Sequence, residues 1–498
     1  DKLSITPTVS DNGTVTIGEQ KAENGKATEV SLKIGSQEIP ITVTSTNGAV
    51  ETTTLHVLRN VDGSAYTVPT RPQYHFSQAM GWSNDPNGML YYKGEWHLFF
   101  QHNQARTTWG ELEWGHAVSK DLIHWEELPR PLNYQEDNGA MFSGCGVVDD
   151  ENTSGLFGDE KGPGKGGLIA LYTQNNELNG HRGQDQCIAY SKDNGRTWTK
   201  YKGNPILKWD EDHLKDTAFR DPKVFRHDGK WFMVLAGGIL RIYSSDDLIH
   251  WNIESTYKGS DDIGNPAGLR VETECPDMYP LTADDGTTKW VISEGGRYYR
   301  IGDLKKIDGH WTFVQDKDSD RYVMNFGPHS YAAMTYYIGN GETTNGKPEN
   351  RRIMINWAST WADGYCNNVD KVTGQWGYNG FFNLQTELNV KKIDGKYKLV
   401  QTPIDEYKKL RVNEAATKLE NVTIPKKTEN SENLLSGVKA GQYEVVAELT
   451  PQAGTKEVGF KLRTNKSGSQ ETVVSYNTET KKVSINGEKS GTHPAGQQ

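Results

Sequence analysis

The sequence lacks the features that mark membrane proteins and nucleic-acid-binding proteins. No apolar run approaches the roughly 20 residues that a membrane-spanning helix needs, and no long run of basic residues occurs. The 498 residues carry a net charge of −10, and 24% of them are charged. Because nucleic acids and anionic membranes bind clustered positive charge, we expect no nucleic-acid partner and no membrane span.

Signatures of cofactors and metals are also missing. The four cysteines lie far apart and form no Cys-x-x-Cys pair, so they are predicted to be buried thiols. The acidic segments 149–152 and 316–320 lack the ligand spacing of an EF-hand calcium loop. No phosphate loop or dinucleotide fingerprint is present. We therefore expect no cofactor and no metal ion.

Glycine and aromatic residues, by contrast, are plentiful. The chain contains 52 Gly, 23 Tyr and 14 Trp residues, while only 34% of its residues are hydrophobic. Many turns and many aromatic rings suit an all-β protein that handles sugars. Composition by itself slightly favours the alternative, a β-rich protein whose aromatic residues fill cores. A chain of this length is expected to form two or three domains.

The first 69 residues are rich in Thr, Val and Ser. Segments 38–44 and 52–58 contain alternating or β-branched residues, which predict strands. We interpret residues 1–69 as a small β-sandwich-like module, or a remnant of one. The proline-containing segment 68–72 is the predicted linker that follows it.

A repeated segment comes next. Residues 119–125 read Ser-Lys-Asp-Leu-Ile-His-Trp, residues 245–251 repeat the pattern, and residues 191–198 are a variant of it. Each copy follows an apolar strand, so we interpret it as a tight turn through Asp that leads to an outer strand at Trp. Repeats of this kind are typical of a β-propeller, whose blades are four-stranded sheets. Residues 70–411 are long enough for about five blades.

Three short motifs each contain an acidic residue close to a proline. Asp85 lies in Trp-Ser-Asn-Asp-Pro-Asn-Gly at 82–88, Asp221 in Phe-Arg-Asp-Pro, and Glu274 in Glu-Cys-Pro-Asp. Taken alone, the first motif favours a plain turn, because Pro fixes φ and both Asn and Gly accept positive φ. The other two acids could be ordinary surface residues. Sequence patterns alone do not select three acids from the 65 in the chain.

In this order, the three motifs resemble the signature of glycoside hydrolase family 32, which includes invertases, inulinases and levanases. Segments 99–101 (Phe-Phe-Gln) and 142–144 (Phe-Ser-Gly) are similar to further family motifs. The resemblance implies an all-β fold, with a five-bladed β-propeller catalytic domain at 70–411 and a C-terminal β-sandwich at 412–498. Predicted strands at 443–449 and 458–462 suit that sandwich, which this sequence is expected to contain only in part.

The resemblance also implies roles for the three acids. Asp85 would be the nucleophile, Glu274 the general acid/base, and Asp221 the stabiliser of the transition state. A fructosyl unit leaves through an oxocarbenium-like state, which nearby carboxylates stabilise. Because the acid must hold a proton near neutral pH, we expect its pKa to be raised. Asp221, beside Arg220, is expected to stay ionised.

The terminal fructosyl ring is expected to meet two kinds of side chain. Polar residues would hydrogen-bond its hydroxyl groups, and Arg220 suits a fixed bidentate contact better than Lys would. The residues implied by the resemblance are Asn84, Gln101, Ser143 and Arg220 for hydrogen bonds, and Trp82, Trp109 and Phe142 for the apolar wall.

Some positions depart from the family pattern. Ser83 stands where Met is usual, and the segment 325–333 lacks an Asp that many relatives carry. His329 in that segment is either a binding residue or a structural one. Trp357 and Trp361 belong either to the rim of the pocket or to the core. These differences bear on substrate length and linkage, not on reaction type.

The expected function is that of a secreted or surface-attached retaining β-fructosidase that acts on fructan or fructo-oligosaccharides. A fructosyltransferase with the same residues is the first alternative. A non-catalytic fructan-binding protein is the second, although the three intact acids argue against it. A five-bladed hydrolase acting on arabinan or xylan is the third. Attachment to a cell wall or cell surface, through regions that flank this sequence, is a further expectation.

Overall fold

In the computed structural model, ten stretches of the chain are described: 2–10, 12–59, 65–134, 139–176, 183–209, 218–257, 274–338, 351–413, 416–426 and 432–491. The chain separates into two compact units, Asp1–Ile404 and Asp405–Gln498. Strands supply most of the regular structure, so the all-β prediction is confirmed. The α-helix in the described stretches is α1, Tyr365–Thr373. No helix in them is both long and apolar enough to cross a membrane.

The chain begins with two small antiparallel sheets. In the larger one, here called the N-terminal sheet, four strands pair in the order β3-β2-β5-β6. In the smaller one, β1 pairs with β4. The predicted strands at 38–44 and 52–58 are confirmed in β5 and β6. The boundary at residue 69 stays a prediction. The strands are β1 Lys2–Ile5, β2 Thr14–Ile17, β3 Gln20–Ala22, β4 Thr28–Ser31, β5 Gly35–Thr44 and β6 Val50–Arg59.

Five sheets, each built on four antiparallel strands, then follow one another along the chain. The first contains β7 Gly81–Tyr92, β8 Glu95–Asn103, β9 Glu113–Ser119 and β10 Trp125–Leu132. The second contains β11 Ala140–Asp149, β12 Gly167–Asn175, β13 Gln184–Ser191 and β14 Thr199–Lys200. The third contains β15 Arg220–His227, β16 Lys230–Ala236, β17 Leu240–Ser245 and β18 Asn252–Tyr257.

The fourth and fifth sheets carry small additions. The fourth contains β19 Asp277–Thr282, β20 Thr288–Glu294, β21 Tyr298–Ile307 and β22 His310–Gln315, and β23 Tyr322–Val323 pairs with β21. The fifth contains β24 Tyr331–Thr335, β25 Arg352–Trp357, β27 Thr386–Ile393 and β28 Lys396–Pro403. Between β25 and β27, the chain forms α1 and then β26 Tyr378–Asn379, which pairs in parallel with β7.

The first strands of the sheets pack closely side by side. A Cβ atom on Gly146 of β11 would lie 2.3 Å from the carbonyl oxygen of Gly88 on β7, so only glycine fits there. On the other side of β11, the backbone N–H of Val224 on β15 donates to Cys145 Sγ at 3.2 Å. β11 is buried almost throughout, which agrees with its small and apolar residues, and residues 221–225 of β15 are buried as well.

A buried ion pair helps to join three of the first strands, of which β19 and β24 are new here. Lys223 Nζ on β15 lies 3.3 Å from Asp277 Oδ2 on β19. The same carboxylate oxygen accepts hydrogen bonds from the backbone N–H and the hydroxyl of Thr335 on β24, at 2.7 and 2.8 Å. Tyr91 N–H on β7 donates to the carbonyl oxygen of Tyr337, just beyond β24, at 2.9 Å. Contacts between first strands therefore extend from the last sheet back to the first.

The repeated turns lie between the third and fourth strands of the first three sheets, as predicted. Trp125 begins β10, while Trp198 and Trp251 directly precede β14 and β18. Each indole N–H donates to the carbonyl oxygen three residues earlier, at 3.2, 3.0 and 3.0 Å respectively. That hydrogen bond explains why each turn ends in Trp.

The second compact unit contains one three-stranded antiparallel sheet in its described residues: β29 Glu457–Leu462, β30 Glu471–Asn477 and β31 Lys482–Lys489. The predicted strand at 458–462 is confirmed. The predicted strand at 443–449 is wrong, because those residues are described and form no strand. Val445 and Val446 there are exposed, so no packing partner stabilises an extended ladder.

Candidate active site

Asp85 lies inside β7 and not in a turn. The register between β7 and β8 shifts between Ser83 and Pro86 and again after Asn87, so the turn-forming residues produce bulges within one strand. Asp85 Oδ1 accepts a hydrogen bond from the Asn84 side-chain amide at 3.1 Å, and Oδ2 accepts one from Ser143 Oγ at 2.7 Å. A bulged strand thus aims this carboxylate and fixes its orientation.

Asp221 sits at the start of β15 in a left-handed conformation, with φ of 62°. Its backbone N–H donates to Thr173 Oγ1 at 3.1 Å. Its carboxylate accepts the backbone N–H of Cys275 at 2.9 Å, and the Arg220 guanidinium lies 3.9 Å away. Asp is one of the few residues besides Gly and Asn that adopt positive φ readily, so this position suits an aspartate.

Glu274 precedes β19 and has two side-chain donors. Arg220 Nη2 donates to its Oε1 atom, and the Tyr331 hydroxyl donates to its Oε2 atom. The Cys275 thiol next to it lies 3.4 Å from Asp85 Oδ2 and 3.6 Å from Asp221 Oδ2. The Glu-Cys-Pro motif therefore brings a carboxylate to one side of the site and a thiol donor between the other two acids.

All three acids line one cavity of about 430 Å³. Six of the seven predicted substrate-binding residues line it as well. The complete set of lining residues is Asn84, Asp85, Gln101, Trp109, Leu112, Phe142, Ser143, Arg220, Asp221, Glu274, Cys275, Tyr331 and Trp361.

The predicted binding residues divide into polar and aromatic groups. Gln101 donates its side-chain amide to the Met141 carbonyl oxygen at 3.0 Å. Trp109 is 48% exposed, and its ring lies 6.4 Å from that of Phe142, so together they form an accessible apolar wall. Trp82 differs, because it is fully buried and donates its indole N–H to Asn84 Oδ1 at 2.8 Å. Trp82 supports the site through Asn84.

Several lining residues escaped the sequence analysis. Leu112 belongs to no recognised motif, Tyr331 lies in the segment 325–333 but has no predicted role, and Cys275 is predicted only to be a buried thiol. All four cysteines are indeed buried thiols. The sequence does not decide whether Trp357 and Trp361 belong to the pocket rim or to the core. In the structure, Trp361 lines the cavity and Trp357 is buried in the core. His329 is stacked on Tyr365 with ring centroids 4.1 Å apart, outside the cavity lining.

The protonation of the acids differs from expectation. Burial raises the pKa of Asp221 to about 7; Arg220 opposes this shift, while the charges of Asp85 and Glu274 add to it. Burial also raises the pKa of Asp85, against hydrogen bonds from Ser143 and Asn84. Burial of Glu274 acts in the same direction, but the Arg220 charge and the Tyr331 hydrogen bond outweigh it and lower its pKa.

The expectation of a raised pKa for Glu274 and an ionised Asp221 is therefore wrong for the unliganded site. The physical reason is that burial raises the pKa of both aspartates, while the Arg220 guanidinium that opposes this for Asp221 is shared with Glu274. Arg220 makes its hydrogen bond to Glu274 and lies farther from Asp221. Like charges confined in a small volume repel one another, and this adds to burial in raising the pKa of both Asp85 and Asp221.

Paired carboxyl groups beside aromatic side chains, in an all-β fold, define the class of site found in glycoside hydrolases. The family model "Glycosyl hydrolases family 32 N-terminal domain" matches residues 75–403, and "Glycosyl hydrolases family 32 C terminal" matches residues 406–498. The chain belongs to glycosyl hydrolases family 32.

Individual relatives agree with this family. A fructan beta-fructosidase of Streptococcus mutans is 45% identical over 87% of this chain, and a levanase of Bacillus subtilis is 38% identical over 86%. This chain spans 28% and 60% of those two proteins, respectively. A crystal structure of exo-inulinase from Aspergillus awamori has a TM-score of 0.65 at 28% identity, covering 86% of this chain and 84% of that one.

Proposed function

We propose that this chain is the catalytic part of a retaining β-fructosidase that hydrolyses fructans or fructo-oligosaccharides. The observation that carries the proposal is the convergence of Asp85, Asp221 and Glu274 on one cavity with Arg220. The relatives named fructan beta-fructosidase, levanase and exo-inulinase support fructose polymers as the substrate class.

We further propose that the five sheets are the blades of a five-bladed β-propeller. The close packing of successive first strands supports this arrangement, since the inner strands of propeller blades surround a central axis. The proposed domain division is 1–69, 70–411 and 412–498, with a β-sandwich in the last segment.

In the proposed first step, Asp85 attacks C2 of the terminal fructosyl unit. A bond forms between a carboxylate oxygen and C2 while the glycosidic C2–O bond breaks, and Glu274 gives its proton to the departing oxygen. Asp221 and Arg220 bind the ring hydroxyls and stabilise the positive charge that develops. In the second step, water gives a proton to Glu274 and attacks C2, which releases Asp85 and β-fructose.

This mechanism requires a proton transfer when substrate binds. In the free site the pKa of Asp221 is raised and that of Glu274 is lowered. Sugar hydroxyls that hydrogen-bond Asp221 would stabilise its carboxylate, and hydroxyls that bind Arg220 would weaken its pairing with Glu274. Both changes favour transfer of the proton to Glu274, where the first step needs it.

The remaining side chains have supporting roles in this proposal. Asn84, Gln101 and Ser143 hydrogen-bond the fructosyl ring, and two of them also hold Asp85 in place. Trp109 and Phe142 pack against the apolar face of the sugar. We place the protein outside the cell, secreted or at the cell surface, which is where a polymeric substrate is accessible.

Product analysis tests the activity. The protein should release fructose from inulin, levan or sucrose, and chromatography of product sizes would show which it prefers. A protein that binds these polymers but cleaves none would support the non-catalytic alternative. If oligosaccharides longer than the substrate dominate at high sucrose concentration, transfer replaces hydrolysis as the main reaction.

The stereochemistry tests the mechanism. Two inversions at C2 restore the starting configuration, so NMR should detect β-fructose first, before mutarotation. Early α-fructose would refute the covalent intermediate and assign an inverting mechanism.

A further inference from the structure

One wall of the cavity belongs to a loop outside the strand framework. The 104–112 loop connects β8 to β9 and carries both Trp109 and Leu112. Its beginning is shaped by Asn103, whose side-chain oxygen accepts the backbone N–H groups of Ala105 and Arg106 at 3.0 and 3.1 Å. The same side chain donates its amide to the carbonyl oxygen of Gly110, so Asn103 also holds the backbone next to Trp109, whose ring stays exposed.

The N-terminal sheet contacts this loop directly. The Arg106 guanidinium lies 2.8 Å from Nδ1 of His56 on β6 and 3.7 Å from the Glu38 carboxylate on β5. On its other side, Arg106 lies 3.6 Å from the carboxylate of Glu111, two residues beyond Trp109. Arg106 therefore links the N-terminal sheet to the segment that holds the exposed tryptophan.

A second contact brings the sheet close to the same region. A Cβ atom on Gly35 of β5 would lie 3.3 Å from the Gly374 carbonyl oxygen, which directly follows α1. The side chain of Asn379 in turn donates to the carbonyl oxygen of Thr107 in the loop at 3.0 Å. The loop is thus held between the N-terminal sheet and the segment around α1.

We propose that the N-terminal sheet positions Trp109 for binding a fructosyl ring, with His56 acting through Arg106. The inference rests on the proposed function and adds a determinant of sugar affinity to it. His56 and Glu38 lie before residue 75, where the match to the family model begins. They are positioning residues, since neither lines the cavity. A tryptophan held in its binding position loses less conformational entropy when sugar binds.

The kinetic test is a double-mutant cycle between His56 and Trp109. His56→Phe keeps an aromatic ring but removes both ring nitrogens, which face Arg106. It should raise KM about three- to tenfold with kcat within about twofold, because the catalytic acids lie elsewhere on the sheets. Trp109→Ala should raise KM at least as much. In the double variant, His56→Phe should add nothing, because the residue that it positions is gone.

Two controls separate positioning from general stability. Glu29→Gln breaks the exposed pair between Lys2 on β1 and Glu29 on β4, in the neighbouring two-stranded sheet, and KM should not change. His56→Gln restores a hydrogen-bond acceptor for Arg106 and should recover most of the affinity. Full additivity of His56→Phe and Trp109→Ala, or an unchanged KM in His56→Phe, would overturn the proposal.

A readout without substrate keeps the proposal testable if the proposed function fails. Hydrogen–deuterium exchange should be faster in residues 104–112 of His56→Phe than of Glu29→Gln, with β7 unchanged in both. Absence of fructose release by the unmodified protein would refute the proposed function alone. Equal exchange of the loop in the two variants would refute the positioning role alone.

Discussion

The pKa of an aspartate is lowered in the repeated turns and raised in the cavity. Asp121 is partly buried, which would raise its pKa, but hydrogen bonds from the backbone and ring of His124 and the backbone of Ile123 hold it at about 2. Asp221 is more deeply buried, and its pKa rises to about 7. Asp247 repeats the pattern of Asp121, with a pKa below its ordinary value.

The difference lies in what faces each carboxylate. In the turn, one oxygen of Asp121 accepts two backbone N–H groups at 3.0 and 2.9 Å, and the other accepts the His124 ring at 2.9 Å. In the cavity, Asp221 shares its surroundings with two other carboxyl groups and lies 3.9 Å from its cation. The carboxylate of a turn aspartate has its hydrogen bonds supplied by residues next to it in the chain. The carboxylate of a cavity aspartate can still accept hydrogen bonds from a ligand.

The largest effect should come from Asp85→Asn. Loss of the nucleophile should lower kcat by about 10³-fold or more, while the amide keeps the shape of the side chain and the fold survives. Steady-state kinetics on sucrose and a thermal melt measure both. Asp121→Asn is the matched control and should keep its activity. Activity of Asp85→Asn within about tenfold of the parent would remove the nucleophile assignment.

Glu274→Gln should lower kcat on natural fructans by about 10²- to 10⁴-fold, because no group then protonates the departing oxygen. A fructoside with an activated leaving group needs little protonation and should be partly spared in the first step. Comparison of the two substrates measures the difference. Equal losses on both would argue that Glu274 has another role.

Lys223→Met tests a third kind of aspartate, one that is buried and fully paired. Removing the lysine leaves the Asp277 carboxylate without its cation among the first strands, which should cost about 3–5 kcal/mol in the free energy of unfolding. Chemical denaturation measures the loss. Lys230→Met, which breaks an exposed pair with Asp246, should cost at most about 1 kcal/mol. Similar losses in both variants would show that burial of the pair is unimportant.

Asp221→Asn should change how stability depends on pH. The pKa of Asp221 is raised to about 7 in the folded protein, so the folded state binds the proton more tightly than the unfolded state does. The stability that this proton provides is full below about pH 4 and is lost as the pH rises through about 7. The variant should therefore be more stable than its parent at pH 8, and melting curves at pH 4 and pH 8 measure this. An equal or lower stability at pH 8 would contradict the shift.

The smallest effect should come from Asp121→Ala. Loss of the turn hydrogen bonds should cost about 1 kcal/mol at pH 7 without changing kcat. Because the folded pKa is lowered to about 2, the stabilisation is present above about pH 4 and is lost as the pH falls through 2. The parent and the variant should therefore converge in stability near pH 2. A loss of activity in this variant would contradict the claim that the turn aspartates, unlike the cavity aspartates, have no part in the reaction.

Local sequence was sufficient for features that depend on neighbouring residues. The Ser-x-Asp turns with a terminal Trp were predictable because their hydrogen bonds close within a few residues. The strands at β5, β6 and β29 followed from their residue patterns for the same reason. The Asp-Pro-Asn-Gly segment taken alone favours a turn, but it lies within β7. Its pairing with β8 overrides the preference for a turn and produces bulges instead. The predicted strand at 443–449 failed, and its Val445 and Val446 are exposed to solvent where a strand would bury them against a second layer.

The sequence by itself determined the all-β class, the three acidic motifs and six of the residues that line the cavity beside them. Tertiary structure alone decided how Arg220 is shared among the acids, since that depends on distances between residues far apart in the chain. It also decided that Tyr331 donates to Glu274, that Trp82 is buried behind Asn84, and that His56 meets Arg106. Short-range preferences can be read from a pattern, but protonation and long-range contacts depend on which groups the fold brings together.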